Sequence, residues 1–228
     1  MMGKTEVMIV GSDHNLSKLP NLFLTIGQST INISKKVNNI GAIFDNNCSM
    51  LAQVNNMCKS AWFHLKRIGK IRPYLTKQSA EKLIHAFVTS KLDNLNCLLS
   101  GVPQGHLDKL RRVQYAAARI ITRTKIQEHM KPILFTLHWL PIEQRIQYKI
   151  LLITYKALND QGPQYIKDLL KYKTPKADRS SRSVSNEELD IPSTKRVTFG
   201  DRAFRVIAPK MWNDMSTNNA KYYIPFLL

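Results

Sequence analysis

Several residue types capable of catalysis or metal binding occur in this sequence, but their spacing matches no familiar active site. Cys48, Cys58 and Cys97 contain no Cys-x-x-Cys pair, and Glu128-His129 has the wrong order for a His-Glu-x-x-His zinc motif. The sequence has no Gly-rich phosphate-binding loop and no Gly-x-Ser-x-Gly nucleophile motif. Two-metal phosphoryl transfer needs several carboxylates around the metal ions, and no such set can be nominated. We therefore predict no catalytic residue, no metal site and no cofactor, and no enzymatic activity for this chain on its own.

The charge of the chain is its most unusual property. There are 34 Lys and Arg against 16 Asp and Glu, a net charge of +18 with neutral histidines. Residues 59–156 hold 18 of the basic side chains and only five acids, so this middle part is the most cationic. A surface this positive attracts polyanions, usually nucleic acid or an anionic membrane. The alternative is that the excess of Lys and Arg only keeps the fold in solution.

The sequence also indicates the cellular setting. No apolar run approaches the length of a membrane span, and Glu6 interrupts the short apolar stretch near the N-terminus, which is therefore unlike a signal peptide. An odd number of widely spaced cysteines is typical of reduced thiols rather than of a disulfide framework. We therefore expect a location in the nucleus or cytoplasm, with no membrane segment and no membrane partner.

The pattern of apolar residues predicts a mainly α fold with a small N-terminal β-sheet. Residues 6–10, 22–26 and 37–44 are rich in β-branched and aromatic side chains and are separated by turn residues, which indicates strands. From residue 52 the apolar period becomes helical and continues to Arg72-Pro73. Further helices are predicted from Thr76 to about Ser100, over 106–124, over 142–158 and over 164–170. The expected domains are a β segment over 1–50, a basic helical bundle over 51–160, and a C-terminal segment over 161–228 that includes a polar linker.

The predicted helix over 106–124 separates its basic side chains from its apolar ones. At 100° per residue its Leu, Val and Ile residues share one side. The basic side chains of another side are Lys109, Arg112, Arg119 and Arg123, and the helix over 142–158 adds Arg145 and Lys149. We predict that these six contact phosphates of nucleic acid, although such a stripe can also be an ordinary solvated helix face.

Aromatic side chains offer a second possible contact with nucleic acid, because exposed rings can stack on bases. The candidates are Trp62, Phe63, Trp139 and Tyr148. The favoured interpretation of all four is packing in the core or at helix corners.

Eight short stretches occur in an order that is typical of one enzyme family. They are KTEV (4–7), NIGAIFD (39–45), IRPYL (71–75), LIHAFVTSKLD (83–93), QYAAARIITR (114–123), LHWLPI (137–142), FGDRAF (199–204) and APKMWN (208–213). In this order they resemble the C-terminal part of a non-LTR (LINE-type) retrotransposon reverse transcriptase of the jockey kind.

The resemblance implies a role for each region. Residues 4–10 resemble a late strand of the polymerase palm, and residues 39–45 resemble the primer grip, with Gly41 and Asp45 as its candidate residues. Residues 52–160 resemble the thumb, which binds the backbone of template–primer duplex, either RNA–DNA hybrid or DNA. The family's paired aspartates, which bind Mg²⁺ in the full-length enzyme, have no match here, and the sequence departs from the family at residues 178–181 and 214–228.

The resemblance predicts a non-catalytic fragment of an RNA-directed DNA polymerase that retains at most sequence-independent binding of template–primer. Two alternatives remain open. The chain could be a helical module for protein interaction whose charge is incidental, or an accessory piece that supports an active reverse transcriptase in trans.

Overall fold

A computed structural model of the chain describes residues 5–20, 22–27, 29–173, 188–194 and 200–217. Helices make up most of these residues, and a small antiparallel β region precedes all but one short helix. The predicted fold class, mainly α with an N-terminal β part, is confirmed. The chain divides into two units, residues 1–142 and 143–228. The departures from the family pattern at 178–181 and 218–228 lie outside the described residues, as does most of the predicted linker.

The β region consists of two separate hairpins rather than one sheet. A short helix, α1 (Asp13–Leu16), precedes them. In the first hairpin β1 (Phe23–Ile26) pairs with β2 (Ser29–Asn32), and in the second β3 (Lys36–Asn39) pairs with β4 (Ala42–Asp45). The predicted strand over 6–10 contributes only a single bridge, between Val7 and Ile33.

The prediction of one continuous strand over 37–44 is wrong. The chain reverses at Ile40 and Gly41, whose φ angles of 50° and 80° are both in the left-handed region. A two-residue hairpin turn of this type matches the twist of the flanking strands, and it normally contains Asn or Gly at both positions. Ile40 gives the opposite sequence signal, because β-branched residues favour strands. The turn therefore could not be recognised from its residue types.

The longest helix, α2 (Leu51–Ile71), follows the predicted pattern closely. Its predicted apolar stripe is buried throughout and consists of Val54, Met57, Ala61, Leu65 and Ile68. A single 3₁₀ turn, Arg72–Tyr74, which contains Pro73, follows the helix directly. Trp62 and Phe63 lie outside this stripe and are 40% and 50% exposed. Packing of these two rings in the core is therefore wrong, and their packing at helix corners stays a prediction.

The second predicted helix begins where expected but is shorter and irregular. Thr76 caps α3 (Lys77–Ile84), because its hydroxyl accepts a hydrogen bond of 3.1 Å from the Ser79 amide. A π-helical segment, His85–Thr89, links α3 to α4 (Ser90–Asp93). The prediction that this helix continues to about Ser100 is wrong, since Leu95 adopts a positive φ of 55°. A 3₁₀ helix, Asn96–Leu99, then leads to the next element.

The predicted basic helix is α5 (Gln104–Thr122), which packs along α2. Its buried residues are Leu107, Leu110, Val113, Gln114, Ala117, Ala118 and Ile121. Arg123 ends the helix in a left-handed conformation, and a helix that the sequence did not predict, α6 (Met130–Thr136), follows. Because α5 is anchored along its whole apolar side, its other side has a fixed orientation.

The second unit begins one residue into α7 (Ile142–Leu158), which was predicted with these bounds, and continues with the short α8 (Gln164–Lys167). Its final helix is α9 (Phe204–Thr217), with Pro209 inside it. The Asn213 side chain bonds both backbone groups of Leu189, at 2.9 Å to N and 2.8 Å to O. Among the helices of the described ranges, none combines the length and the apolar character that a bilayer crossing requires.

Candidate nucleic-acid interface

Arg112 is the most accessible of the basic residues predicted on α5. Its side chain is exposed, on the side of the helix away from the buried Leu110. Among the residues described, no carboxylate or other acceptor bonds its guanidinium group. The only acid on α5, Asp108, instead pairs with Arg111 at 2.6 Å. Arg112 can therefore offer all of its donors to a ligand.

Lys109 and Arg119 are half-buried and already make contacts within the fold. The Lys109 ammonium donates a 2.8 Å hydrogen bond to Oδ1 of Asn55 on α2. Arg119 donates from Nη2 to the Ile126 carbonyl at 3.0 Å, and its Nε is buried without a partner among the described residues. Both groups keep further donors, but they also hold α5 to its neighbours. Their contribution to binding should therefore be smaller than that of Arg112.

Arg123 lies at the end of α5 beside an open depression of about 370 Å³. Arg123 is exposed, and its Nη2 is 3.4 Å from the Arg72 carbonyl, which is a weak contact. The other lining residues include Lys77, Thr122 and Arg72, and no acid of the described segments lines the depression. Two exposed cations, Arg123 at the end of α5 and Lys77 at the start of α3, therefore lie next to a concave surface.

Arg72 is a structural residue of this region that was not singled out from the sequence. It is only 9% exposed, and each nitrogen of its guanidinium group donates to a backbone carbonyl. The bonds are Nε to Ile120 at 2.7 Å, Nη2 to Ile121 at 2.9 Å, and Nη1 to Leu75 at 2.8 Å. Two of these carbonyls belong to the C-terminal turn of α5, where a cation is favourable. Arg72 thereby fixes the end of the helix that carries Arg119 and Arg123.

A sequence signal for Arg72 existed. It follows Ile68 by four residues and so continues the buried stripe of α2. A long cationic side chain on a buried stripe needs acceptors inside the fold. No acid lies near Arg72 in the sequence, so the carbonyl groups at a helix terminus are the expected acceptors.

Arg145 and Lys149 belong to the second unit. Both lie on α7, where Arg145 is half-buried and Lys149 is exposed. They are one helical turn apart, as predicted. The structure thus brings four of the six predicted cations together on and beside α5, and places the other two on α7.

The two primer-grip candidates, Gly41 and Asp45, lie at opposite ends of strand β4. Gly41 is at the exposed hairpin turn, and no described atom lies within 4 Å of the position that a Cβ would occupy. Glycine is therefore required there by the positive φ rather than by a close neighbour. Asp45 is 7% exposed and accepts hydrogen bonds from the Ser49 hydroxyl and, at 2.9 Å, from the Met50 amide. In this conformation its carboxylate fixes the chain just before α2.

The three cysteines are half-buried, and they form no disulfide bond among the residues that the structure describes. Burial raises the pKa of the Cys58 thiol, and the nearby Lys109 ammonium acts in the opposite direction because it favours the thiolate. Within the described ranges, no three His, Cys, Asp or Glu side chains lie close enough together to hold a metal ion.

A second set of basic side chains was not singled out from the sequence. The outer side of α2 carries Lys59, Lys66, Arg67 and Lys70, all exposed, together with the exposed rings of Trp62 and Phe63. The helical period of α2 already separates these six positions from the buried stripe. We refer to these six side chains as the outer face of α2.

Comparison of the chain with protein-family models, with curated proteins and with solved structures finds no match.

Proposed function

We propose that this chain binds the sugar–phosphate backbone of nucleic acid without sequence specificity, through the basic side of α5. The observation that carries the proposal is the exposed guanidinium group of Arg112, which has no partner among the residues that the structure describes, on a helix whose opposite side is anchored in the core. Arg123 and Lys77 extend the positive surface around the depression at the end of α5. Phosphate contacts of this type depend on charge and not on base sequence.

The resemblance to the C-terminal part of a LINE-type reverse transcriptase supports the same proposal. A thumb binds template–primer duplex through its backbone, so RNA–DNA hybrid and DNA duplex are the proposed ligands. The same resemblance leads us to propose that the chain on its own is not a polymerase, because the sequence contains no match to the family's paired aspartates. Primer extension with the purified chain and Mg²⁺ tests this part, and incorporation of nucleotides would contradict it.

The salt dependence of duplex binding tests the proposed surface. The variant R112Q/R119Q/R123Q removes three charges and keeps the side chains long and polar. If these residues contact phosphates, the slope of log K against log salt should become less steep by about 0.7–0.9 per residue. Fluorescence anisotropy with a labelled hybrid and a labelled DNA duplex gives this slope for each ligand.

A variant of equal charge is the control for this experiment. K18Q/K35Q/K36Q also removes three positive charges, from exposed residues of the β region. If binding depends only on net charge, the slope of log K against log salt will become less steep by the same amount in both variants, and the assignment to α5 is wrong. If neither variant changes the slope and a protein partner is bound at all salt concentrations, the chain is an interaction module instead.

A further inference from the structure

We propose that the outer face of α2 is a separate site for single-stranded nucleic acid, at which bases stack on Trp62 and Phe63 while lysines contact the phosphates. This ligand and this surface differ from those of the proposed duplex contact on α5. Each of the two proposals can therefore be refuted without the other.

The first supporting observation is the exposure of two aromatic residues, consecutive in sequence, in the middle of a well-packed helix. Trp62 is 40% and Phe63 is 50% exposed, although the opposite side of α2 is fully buried. Large aromatic side chains bury much apolar surface when they can, so a pair left at the surface is informative. Phe87, on the neighbouring π-helical segment, is a third ring with 44% exposure.

Two of the exposed rings, Phe63 and Phe87, belong to an ordered series. The His64 ring lies between two phenylalanines, stacked on Phe87 with centroids 5.2 Å apart and edge-on to Phe63 at 5.3 Å. The Arg67 guanidinium lies 4.0 Å from the centre of the Phe63 ring. These contacts hold Phe63 in a fixed orientation before any ligand binds, which reduces the entropy lost on binding.

The second supporting observation is the charge around the rings. Every charged side chain of α2 is basic, since the helix contains no Asp or Glu. At 100° per residue, Lys59, Lys66 and Lys70 fall within an arc of about 40°, with Phe63 beside them. Lys66 and Lys70 are one turn apart, about 6 Å along the axis. A polyanion is therefore the complementary partner.

The combination of rings and cations distinguishes between polyanions. A duplex keeps its bases stacked inside and offers mainly phosphates to a helix surface, so Trp62 and Phe63 would gain little from it. A single strand exposes the π-faces of its bases, and aromatic residues in a basic groove are the usual way to bind it. An anionic membrane would require a broad apolar face for insertion, whereas the apolar stripe of α2 is buried in the core. Single-stranded RNA or DNA therefore fits the face best.

Binding of a fluorescein-labelled oligothymidylate of about 20 nucleotides tests the site. We expect W62A/F63A to weaken binding about tenfold or more, as is usual when stacking side chains are removed. K59Q/K66Q/K70Q should make the log–log salt slope of single-strand binding less steep by about 0.7 for each lysine that contacts a phosphate. W62L/F63L keeps apolar surface in place of the rings and should lose the same affinity. A far-UV circular dichroism spectrum identical to that of the original chain would exclude unfolding as the cause.

Three controls distinguish base stacking at this face from a general loss of affinity and from membrane binding. F135A removes a ring that is 81% exposed on α6, outside the proposed face, and should leave binding unchanged. Duplex affinity should be the same in W62A/F63A and the original chain. Phosphatidylserine vesicles should bind more weakly than the oligonucleotide.

The proposal is overturned if W62A/F63A binds the oligonucleotide as tightly as the original chain, or if F135A loses as much affinity. Binding of vesicles without binding of the oligonucleotide would also overturn it, and would identify the face as a membrane contact. Failure of the α5 variants to alter duplex binding would contradict the proposed function and leave this proposal intact.

Discussion

Replacement of Arg72 by Ala should destabilise the first unit more than any change to an exposed cation. The side chain is 9% exposed and donates to the carbonyls of Leu75, Ile120 and Ile121 at 2.7–2.9 Å. Its removal leaves these three acceptors without their donor and removes a cation from the C-terminal turn of α5. Hydrogen bonds to a charged group each contribute about 1.5–3 kcal/mol, but bonds to one guanidinium group are not additive.

The depression beside Arg72 reduces the expected loss. Because Ile121 and Leu75 also line this open space, water can reach some of the carbonyls after the substitution. We therefore expect a loss of about 3 kcal/mol in the free energy of unfolding, which corresponds to one or two of these three hydrogen bonds rather than to their full sum. With a urea m-value of about 2 kcal/mol/M, the midpoint should fall by about 1.5 M.

Urea titration followed by far-UV circular dichroism and tryptophan fluorescence measures this change. R72K keeps the positive charge but loses the planar guanidinium group that reaches three carbonyls at once. The midpoint of its urea unfolding should therefore lie between those of R72A and the original chain. R67A is the matched control, because Arg67 is exposed and, among the described residues, its guanidinium group contacts the Phe63 ring alone. Its midpoint should fall by less than about 0.5 M, since such a contact contributes about 0.5–1 kcal/mol. If R72A and R67A shift the midpoint equally, Arg72 is not the anchor described above.

The other predictions concern individual positions of the same unit. I40N should raise stability by about 1 kcal/mol in urea titration, because Asn tolerates the positive φ at Ile40 better than a β-branched residue; a lower midpoint would contradict the turn assignment. T76A should lower stability by about 1 kcal/mol through loss of the hydroxyl cap of α3, whereas T76S should retain most of it. K109M should raise the pKa of the Cys58 thiol further, since Lys109 favours the thiolate. The pH dependence of iodoacetamide labelling in a C48S/C97S background measures this shift, and a lower pKa would show that Lys109 does not act on the thiolate.

Local periodicity in the sequence was sufficient for much of the helical structure. The buried stripe of α2, the cap at Thr76 and the bounds of α7 all follow from apolar spacing or from one capping residue. These signals are local, because a helix forms its backbone hydrogen bonds within itself. The concentration of positive charge in residues 59–156 was equally evident, since charge depends on composition alone.

Apolar spacing and residue preferences did not predict the irregular parts of the backbone. The turn at Ile40 contradicts the usual residue preference, and the π-helical segment His85–Thr89 has no residue signature. A π-helical turn contains one more residue than an α-helical turn. It therefore changes the side of the helix on which the residues of this segment, such as Phe87 and Val88, lie. Val88 is fully buried and Phe87 is 44% exposed.

The availability of individual side chains was decided by tertiary contacts. Sequence spacing placed Lys109, Arg112 and Arg119 on one side of α5. Packing determined that Asn55 and Ile126 bind Lys109 and Arg119, whereas Arg112 has no partner in the part of the chain that the structure describes. The accessible surface likewise depends on which neighbours cover a helix, which a single helix cannot specify. The sequence by itself therefore determined a basic helical protein. The tertiary structure decided which cations and which rings, on α5 and on the outer face of α2, are available to a ligand.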